Sequence, residues 1–137
     1  MAHWLYKSEP SSWSWDEQVA AGEKGTAWTG VRNHLAKKHL QAMKLGERGF
    51  FYHSNEGKAV VGIVEVIREY YPDHTDPTGR FGMVDLKAVE PLREPVTLEA
   101  IKSQPELADM VLIKNSRLSV QPVTDEEWRI VCRLGGL

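Results

Sequence analysis

The segment from Ala59 to Tyr71 constrains the fold more than any other part of this 137-residue chain. Its middle, Val60-Val61-Gly62-Ile63-Val64, is apolar on both faces, which is typical of a strand with neighbours on both sides in a sheet. Strands are also predicted over 50–53 and 83–89, the second ended by Pro91. Because hairpin-length links join these strands, we expect an antiparallel or mixed sheet.

The rest of the chain supplies the outer strands and the helices. Two further strands are predicted at 3–7 and at 118–123, the latter interrupted at Pro122. Helices are predicted after the capping boxes at Ser14 and Thr124, around 98–103, and over about 32–43, where Leu35, Ala36, Leu40 and Met43 line one side and Gly46 closes the helix. The predicted fold is α+β, a small barrel-like sheet of five or six mostly antiparallel strands surrounded by helices, in one domain over 1–137.

Composition excludes several classes of protein. The chain is 42% hydrophobic and 26% charged, as in an ordinary soluble globular protein. It has no apolar run of about 18 residues and no secretory signal, so we expect no membrane contact. One cysteine, Cys132, excludes an internal disulfide framework and suits a reducing compartment. We expect a cytoplasmic monomer in which Cys132 is structural.

The charge is unevenly distributed along the chain. The net charge is only −2, but residues 31–48 hold five basic residues and one acidic residue, a local balance of +4. A solvated helix face is the commoner reason for such a stretch and is slightly favoured. The alternative is a small phosphate-contacting surface that uses Arg32, Lys37 and Lys38.

Three stretches place hydrogen-bonding side chains beside aromatic ones, each at the end of a predicted element. They are Lys7-Ser8-Glu9-Pro10, Trp28-Thr29-Gly30-Val31-Arg32-Asn33 and Phe50-Phe51-Tyr52-His53-Ser54-Asn55. Polar residues at a strand end lie at the rim of a sheet. If the three rims converge, they form a pocket with aromatic walls and a polar floor, which suits a flat, hydrogen-bonding ligand such as a nucleobase.

Other site chemistries fit the sequence poorly. His34 and His39 are five residues apart and diverge on a helix, so no metal site is predicted, and no glycine-rich phosphate loop occurs. Adjacent His53 and Ser54 would point to opposite faces of a strand, which disfavours a base–nucleophile pair. Glu9 has no second carboxylate near it in sequence. No cofactor is expected, and an enzyme is the minority interpretation.

The residues alone leave the nature of the three stretches open. Trp28 and Tyr52 can equally be core aromatic residues, which is the commoner role. Asn33 lies near a helix start and can simply cap it, while Lys7, Ser8 and Arg117 can be caps or surface ion-pair partners. On spacing alone, the pocket and the structural interpretation are nearly even.

The motifs KSEP, WTGVRN, FYHSN followed by VVGIVEV, and SRLSVQPV before a tryptophan-bearing helix resemble the EVE domain family. The resemblance is collinear and runs from Trp4 to about Ile130. It implies a PUA-like fold, a small pseudo-barrel related to YTH domains, which read N6-methyladenine in RNA. It also implies a pocket for a modified nucleobase, with modified cytosine in DNA as one ligand class.

Carried onto this sequence, the resemblance implies a set of ligand-binding residues. Trp28 would be the stacking wall, Thr29 and Gly30 would allow close approach, and Asn33 would contact a base edge. The other implied residues are Lys7, Ser8, Tyr52, His53, Ser54, Arg117 and Ser119. Family members often carry a tryptophan just before the strand that begins here at Met83, whereas this chain has Phe81 and Gly82; Phe81 either replaces that ring or leaves the cage looser.

The predicted function is therefore a non-enzymatic module that holds a modified base of DNA or RNA in an aromatic-walled pocket. Two other interpretations stay open at this point. One is an RNA- or protein-interaction module without modified-base recognition. The other is a small hydrolase or nucleotide-processing enzyme that uses His53 or Glu9.

Overall fold

In the computed structural model, which describes residues 1–137, six strands form one mixed sheet. They are β1 (His3–Ser8), β2 (Thr26–Ala27), β3 (Arg48–His53), β4 (Ala59–Pro72), β5 (Gly82–Thr97) and β6 (Val120–Val123). The order across the sheet is β2-β5-β4-β3-β1-β6, and only the β1–β3 pair is parallel. The predicted α+β class and mostly antiparallel sheet are confirmed, and β4 lies inside the sheet as expected.

Five helices and two short 3₁₀ turns surround the sheet. The helices are α1 (Trp15–Ala20), α2 (His34–Ala42), α3 (Leu98–Lys102), α4 (Val111–Lys114) and α5 (Asp125–Leu134), and the turns are Gly22–Lys24 and Pro105–Leu107. Both predicted capping boxes are present, because Ser14 and Thr124 each exchange hydrogen bonds with a glutamate three residues later. The turns, α4 and β2 were not predicted, since two to four residues are too short to show a periodic pattern.

Pro91 does not end a strand, and that prediction is wrong. β5 continues through it to Thr97, and Pro91 lies opposite Gly62 of β4. The register between β4 and β5 shifts on both sides of this pair. A bulge leaves a backbone position without a ladder hydrogen bond, so a proline, which has no N–H group, fits there.

The α2 helix is shorter than the predicted span of 32–43. It begins at His34 because the Asn33 side chain accepts a hydrogen bond from the backbone N–H of Ala36. It ends at Ala42, and Gly46 (φ +84°) lies in the following turn rather than at the helix end. Leu35 was expected on the apolar side but is 45% exposed.

Side-chain alternation along the strands divides the core between the two faces of the sheet. On β3, Phe51 belongs to a cluster with Trp15, Trp28 and Tyr6, while Phe50 and Tyr52 belong to a second cluster on the other face. The first cluster packs against α2 and the second against α3 to α5. This division places the residues that follow β2 on the face that carries Phe51. No helix is long and apolar enough to cross a membrane.

Candidate functional site

A cavity of about 380 Å³ is lined by residues from both edges of the sheet, in β2 and just before β6. We call it the pocket. Its residues come from the end of β1, the loop before α1, β2 with the segment after it, and the residue before β6. They are Lys7, Ser8, Glu9, Ser12, Trp13, Thr26, Ala27, Trp28, Thr29, Gly30, Val31 and Ser119. Two of the three stretches singled out in the sequence therefore converge on one pocket.

Trp28 forms part of the pocket wall and is also a core residue. It is 8% exposed, and its ring makes edge-to-face contacts with Tyr6 and Phe51 at centroid distances of 5.6 and 5.7 Å. Its backbone N–H donates to the carbonyl of Val84 on β5. The indole is thus fixed in place, and a small part of it is left to face a ligand.

Trp13 supplies a second aromatic surface that sequence reasoning missed. The side chain is half-buried, and its Nε1–H donates to Gln18 Oε1 at 2.8 Å. Gln18 is itself fully buried and donates from Nε2 to the carbonyl of Leu86 at 3.0 Å. The ring is therefore held in one orientation by a buried amide. The only indication in the sequence was that Trp13 directly precedes the capping box at Ser14, and so lies where the chain enters α1.

Lys7 and Ser8 reach the pocket from the end of β1. Lys7 Nζ donates to the carbonyl oxygen of Ser116 and lies 6.0 Å from the centroid of the Tyr52 ring. Partial burial lowers the pKa of Lys7 from its ordinary value. Ser8 Oγ donates to the backbone carbonyl of Trp13 at 2.6 Å, which joins the end of β1 to the loop that carries the second tryptophan.

Four hydroxyl groups lining the pocket make no hydrogen bond within the protein. They belong to Ser12, Thr26, Thr29 and Ser119. A hydroxyl can donate one hydrogen bond and accept two, so each is able to pair with a donor or an acceptor on a ligand. Because the walls are aromatic and these hydroxyls are free, the pocket can hold a flat ring and contact its polar edge.

Thr29 and Gly30 form one edge of the pocket mouth, which we call the rim. A buried carboxylate, that of Asp73, holds it in place. Gly30 has a left-handed backbone (φ +86°), and its N–H donates to Asp73 Oδ2 at 2.9 Å. The same oxygen accepts from Arg32 Nη1 at 3.0 Å, while Asp73 Oδ1 accepts from the N–H and hydroxyl of Thr75. Burial alone would raise the pKa of Asp73, but these hydrogen bonds outweigh it and hold the pKa well below its usual range. The rim and the loop over 73–81 are thereby joined.

The third stretch does not reach the pocket. Tyr52 is 3% exposed on the opposite face of the sheet. His53 lies on the pocket face, but its Nε2 accepts a hydrogen bond from the backbone N–H of Trp15 at 3.1 Å, and burial lowers its pKa. Ser54 follows β3 and its N–H donates to the carbonyl of Ser8. These residues pair with the end of β1 and hold it in place without lining the pocket.

Two further predicted contacts also lie outside the pocket. Asn33 is exposed and its side-chain oxygen caps α2, so the capping alternative describes its contact. Arg117 is exposed and forms no ion pair or side-chain hydrogen bond. Of the predicted ligand-binding residues, the pocket includes Lys7, Ser8, Trp28, Thr29, Gly30 and Ser119.

The comparison with protein families decides the assignment. A family model described as the EVE domain matches residues 2–134. The chain belongs to the EVE domain family. Thymocyte nuclear protein 1 of Homo sapiens is 36% identical over an alignment that covers 97% of this chain and 73% of that protein. The Danio rerio protein of the same name is 31% identical, with coverage of 97% and 71%.

Solved structures place this EVE domain among close structural relatives. A Rhodopseudomonas palustris protein solved by NMR is 65% identical with a TM-score of 0.94, and the match covers 99% of this chain and 94% of that one. Human thymocyte nuclear protein 1, solved in complex with 5-methylcytosine-containing DNA, is 35% identical with a TM-score of 0.94 and coverage of 100% and 99%.

A more distant structure bears on the fold alone. The YTH domain of a Zygosaccharomyces rouxii protein, solved with N6-methyladenosine RNA, is 17% identical with a TM-score of 0.60. The match covers 99% of this EVE domain and 85% of the YTH chain. The PUA-like fold implied by the sequence resemblance is confirmed.

Three observations concern the side chains that could hold a metal or act in catalysis. No group of three or more His, Cys, Asp or Glu side chains is placed to hold a metal ion. The Nε2 lone pair of His53 is already engaged by a backbone N–H group. Burial raises the pKa of the Cys132 thiol to about 11, which leaves it a weak nucleophile at neutral pH.

Proposed function

We propose that this EVE domain binds nucleic acid and holds one extruded, modified nucleobase in the pocket. The observation that carries the proposal is the combination of two fixed indole rings with four hydroxyls that have no partner in the protein. The human relative that was solved with 5-methylcytosine-containing DNA supports the choice of ligand class.

The size and lining of the pocket suit a small flat ligand. About 380 Å³ lies at the lower end of the range for small-molecule sites. Extruding a base costs a few kcal/mol, and stacking on aromatic side chains returns about 1–3 kcal/mol per base. Stacking alone leaves the balance near zero, so a modification that fills an apolar niche would decide whether binding is favourable.

Ala27 and Val31 provide that niche in the proposal. They lie among the pocket residues next to Trp28 and carry no polar side-chain atom. Burying one methyl group contributes about 0.8 kcal/mol, which corresponds to about a fourfold gain in affinity. The Glu9 carboxylate lies at the mouth, forms no ion pair, and can accept a hydrogen bond from an amino group on the edge of the base.

Fluorescence anisotropy with short labelled oligonucleotides tests the proposal. Duplexes that differ only in one 5-methylcytosine or 5-hydroxymethylcytosine, and RNAs with or without N6-methyladenine, are titrated at about 0.1 M salt. We expect one modified ligand to bind at least about fourfold more tightly than its unmodified counterpart. Equal affinity across every pair would contradict the proposal.

A variant of a tryptophan outside the pocket serves as the control for changes to the pocket tryptophans. Trp128 stacks on Phe50 and His3 at centroid distances of 4.1 and 4.2 Å, and it does not line the pocket. Trp128→Phe keeps an aromatic ring in that stack. It should leave unchanged both the affinity for oligonucleotides and the preference for the modified one.

The monomeric state and the cytoplasmic location of the protein stay predictions.

A further inference from the structure

Three side chains that can carry positive charge surround one aromatic ring beside the pocket. The Arg32 guanidinium carbon lies 5.8 Å, and Lys37 Nζ 5.6 Å, from the centroid of the Phe81 ring. The His34 imidazole packs on the same ring at 5.1 Å between centroids. We call these four residues the Phe81 cluster. Phe81 does not line the pocket, so it does not replace the missing cage ring there.

The surface around the cluster carries more positive than negative charge. Lys37 forms no ion pair, and the nearby exposed Lys38 and Arg80 form none either. Two carboxylates lie nearby. Asp73 is fully buried and paired with Arg32, and Asp76 accepts hydrogen bonds from the backbone N–H groups of Arg80 and Phe81. Cation–π contacts at exposed sites contribute about 0.5–1 kcal/mol each, so they hold the cations together without cancelling their charge. With Lys38 and Arg80 included, four fixed cations stand against two carboxylates, so this surface attracts anions.

Arg32 both builds the cluster and faces outward. Its Nη1 donates to the Val31 carbonyl and to Asp73, and its Nη2 donates to Thr75 Oγ1 at 2.9 Å. A guanidinium has five N–H donors, so two remain for a ligand. The side chain is 38% exposed. It is thus held in position by the loop while keeping donors for an anion.

The cluster begins at the rim of the pocket. Gly30 lines the pocket, and its N–H shares Asp73 Oδ2 with the Arg32 guanidinium. Only Val31 lies between Gly30 and Arg32, so their Cα atoms are at most about 7.6 Å apart. A base held in the pocket keeps its flanking phosphates near the mouth, since a strand carries one phosphate per about 3.4 Å of duplex axis.

We infer that the Phe81 cluster contacts the backbone phosphates on one side of the base held in the pocket. The inference rests on the proposed function, because the base in the pocket fixes where the strand runs. Lys37 and the two remaining Arg32 N–H groups bind phosphate oxygens, and an N–H of His34, the third residue, adds a further donor. These contacts carry no sequence information and add affinity for modified and unmodified strands alike.

The charge-removing variant Lys37→Gln tests the inference in the anisotropy assay. Loss of one phosphate contact should weaken binding of modified and unmodified duplexes by the same factor, about threefold to tenfold. It should also reduce the slope of log affinity against log salt by about 0.9. The ratio between the two ligands should not change, because no base contact is lost.

Lys102→Gln is the matched control, since Lys102 is an exposed, unpaired lysine of α3 that does not belong to the cluster. It should change affinity by less than about 1.5-fold and leave the salt slope unaltered. Lys37→Gln that leaves the salt slope intact, or that matches Lys102→Gln, would overturn the inference. So would a failure of every oligonucleotide to bind at low salt.

The two proposals fail in different ways. If all ligands bind equally but Lys37→Gln still lowers affinity and slope, the modified-base proposal is wrong and the phosphate surface stands. If the modified ligand is preferred but Lys37→Gln changes nothing, the phosphate surface is wrong and the base pocket stands. Circular dichroism of the variant confirms that α2 is intact.

Discussion

Two clefts of similar size lie in this EVE domain, and their linings differ sharply. The pocket holds about 380 Å³, and a second cleft between the β3–β4 turn and α3 holds about 440 Å³. The second cleft contains no aromatic residue and is lined by Asn55, Gly57, Lys58, Thr97, Leu98, Glu99 and Lys102. Volume alone would favour the second cleft, so the chemistry of the walls has to identify the site.

The hydroxyl groups show the difference most clearly. In the second cleft, Thr97 Oγ1 accepts from the N–H of Ala100 and caps α3. In the pocket, the Thr29 and Ser119 hydroxyls have no partner within the protein. The Thr97 hydroxyl therefore has one acceptor position already used, whereas the Thr29 and Ser119 hydroxyls can exchange all their bonds to water for bonds to a ligand. The pocket combines unpaired hydroxyls with aromatic walls, and the second cleft does not.

The largest expected effect comes from removing the half-buried indole of Trp13 from the pocket wall. Trp13→Ala should weaken binding of the preferred modified oligonucleotide about 5- to 150-fold, the equivalent of about 1–3 kcal/mol of stacking. Leu98→Ala in the second cleft should leave affinity unchanged. Anisotropy titrations of both variants check the comparison, with Trp13→Phe expected to recover part of the loss. Equal effects of Trp13→Ala and Leu98→Ala would remove the basis for choosing the pocket.

The next effect concerns the buried carboxylate behind the rim of the pocket. Asp73 accepts hydrogen bonds from Gly30, Arg32 and Thr75. In Asp73→Asn, one carboxylate oxygen becomes an amide NH₂ that faces those donors. We expect the free energy of unfolding in urea to fall by about 2–3 kcal/mol, with weaker binding as the rim loosens. Glu99→Gln in the second cleft is the control and should change neither quantity; an unaltered Asp73→Asn variant would exclude the proposed role of the carboxylate.

Two glycines offer a matched pair with equal backbone strain. Gly30 in the pocket and Gly57 in the second cleft have φ values of +86° and +77°, and a Cβ at either would meet no atom within 4 Å. Each Gly→Ala change should therefore destabilise the fold by about 1 kcal/mol through the left-handed backbone alone. Only Gly30→Ala should also weaken oligonucleotide binding, by about twofold to fivefold, since it shifts the rim. If the two variants bind oligonucleotides equally well, the position of Gly30 does not affect binding.

Sequence patterns predicted the elements that have strong periodicity or capping chemistry. The central position of β4 followed from its two apolar faces, and both capping boxes begin helices as expected. The predicted end of β5 at Pro91 was wrong because a bulge, which depends on the partner strand, accommodates the proline. The register between two strands cannot be predicted from the sequence of one of them.

The candidate site was predictable in part for the same reason. The segments around Ser8 and Thr29 do converge, but Tyr52 lies on the other face of the sheet. Alternation fixes that Phe51 and Tyr52 face opposite sides, yet the sequence cannot say which side faces the pocket. Trp13 was missed because its place in the wall depends on Gln18, a partner that becomes buried only when the helix packs on β5.

The smallest effect we predict is a loss of stability in acid that originates on the pocket side. Hydrogen bonds, the strongest from the Thr78 hydroxyl, lower the pKa of Asp76 from 3.8 to about 2, and Asp73 is shifted in the same direction. A depressed carboxyl pKa stabilises the fold at every pH above its unfolded value, and that stabilisation is lost as the pH falls from about 4 towards 2. Urea unfolding across this window should show stability falling steadily in the wild type. The fall in the free energy of unfolding with decreasing pH should be shallower in Asp76→Asn, whereas Glu99→Gln should show the same fall as the wild type. If all three proteins lose stability equally, the loop over 73–81 is not the source of the acid sensitivity.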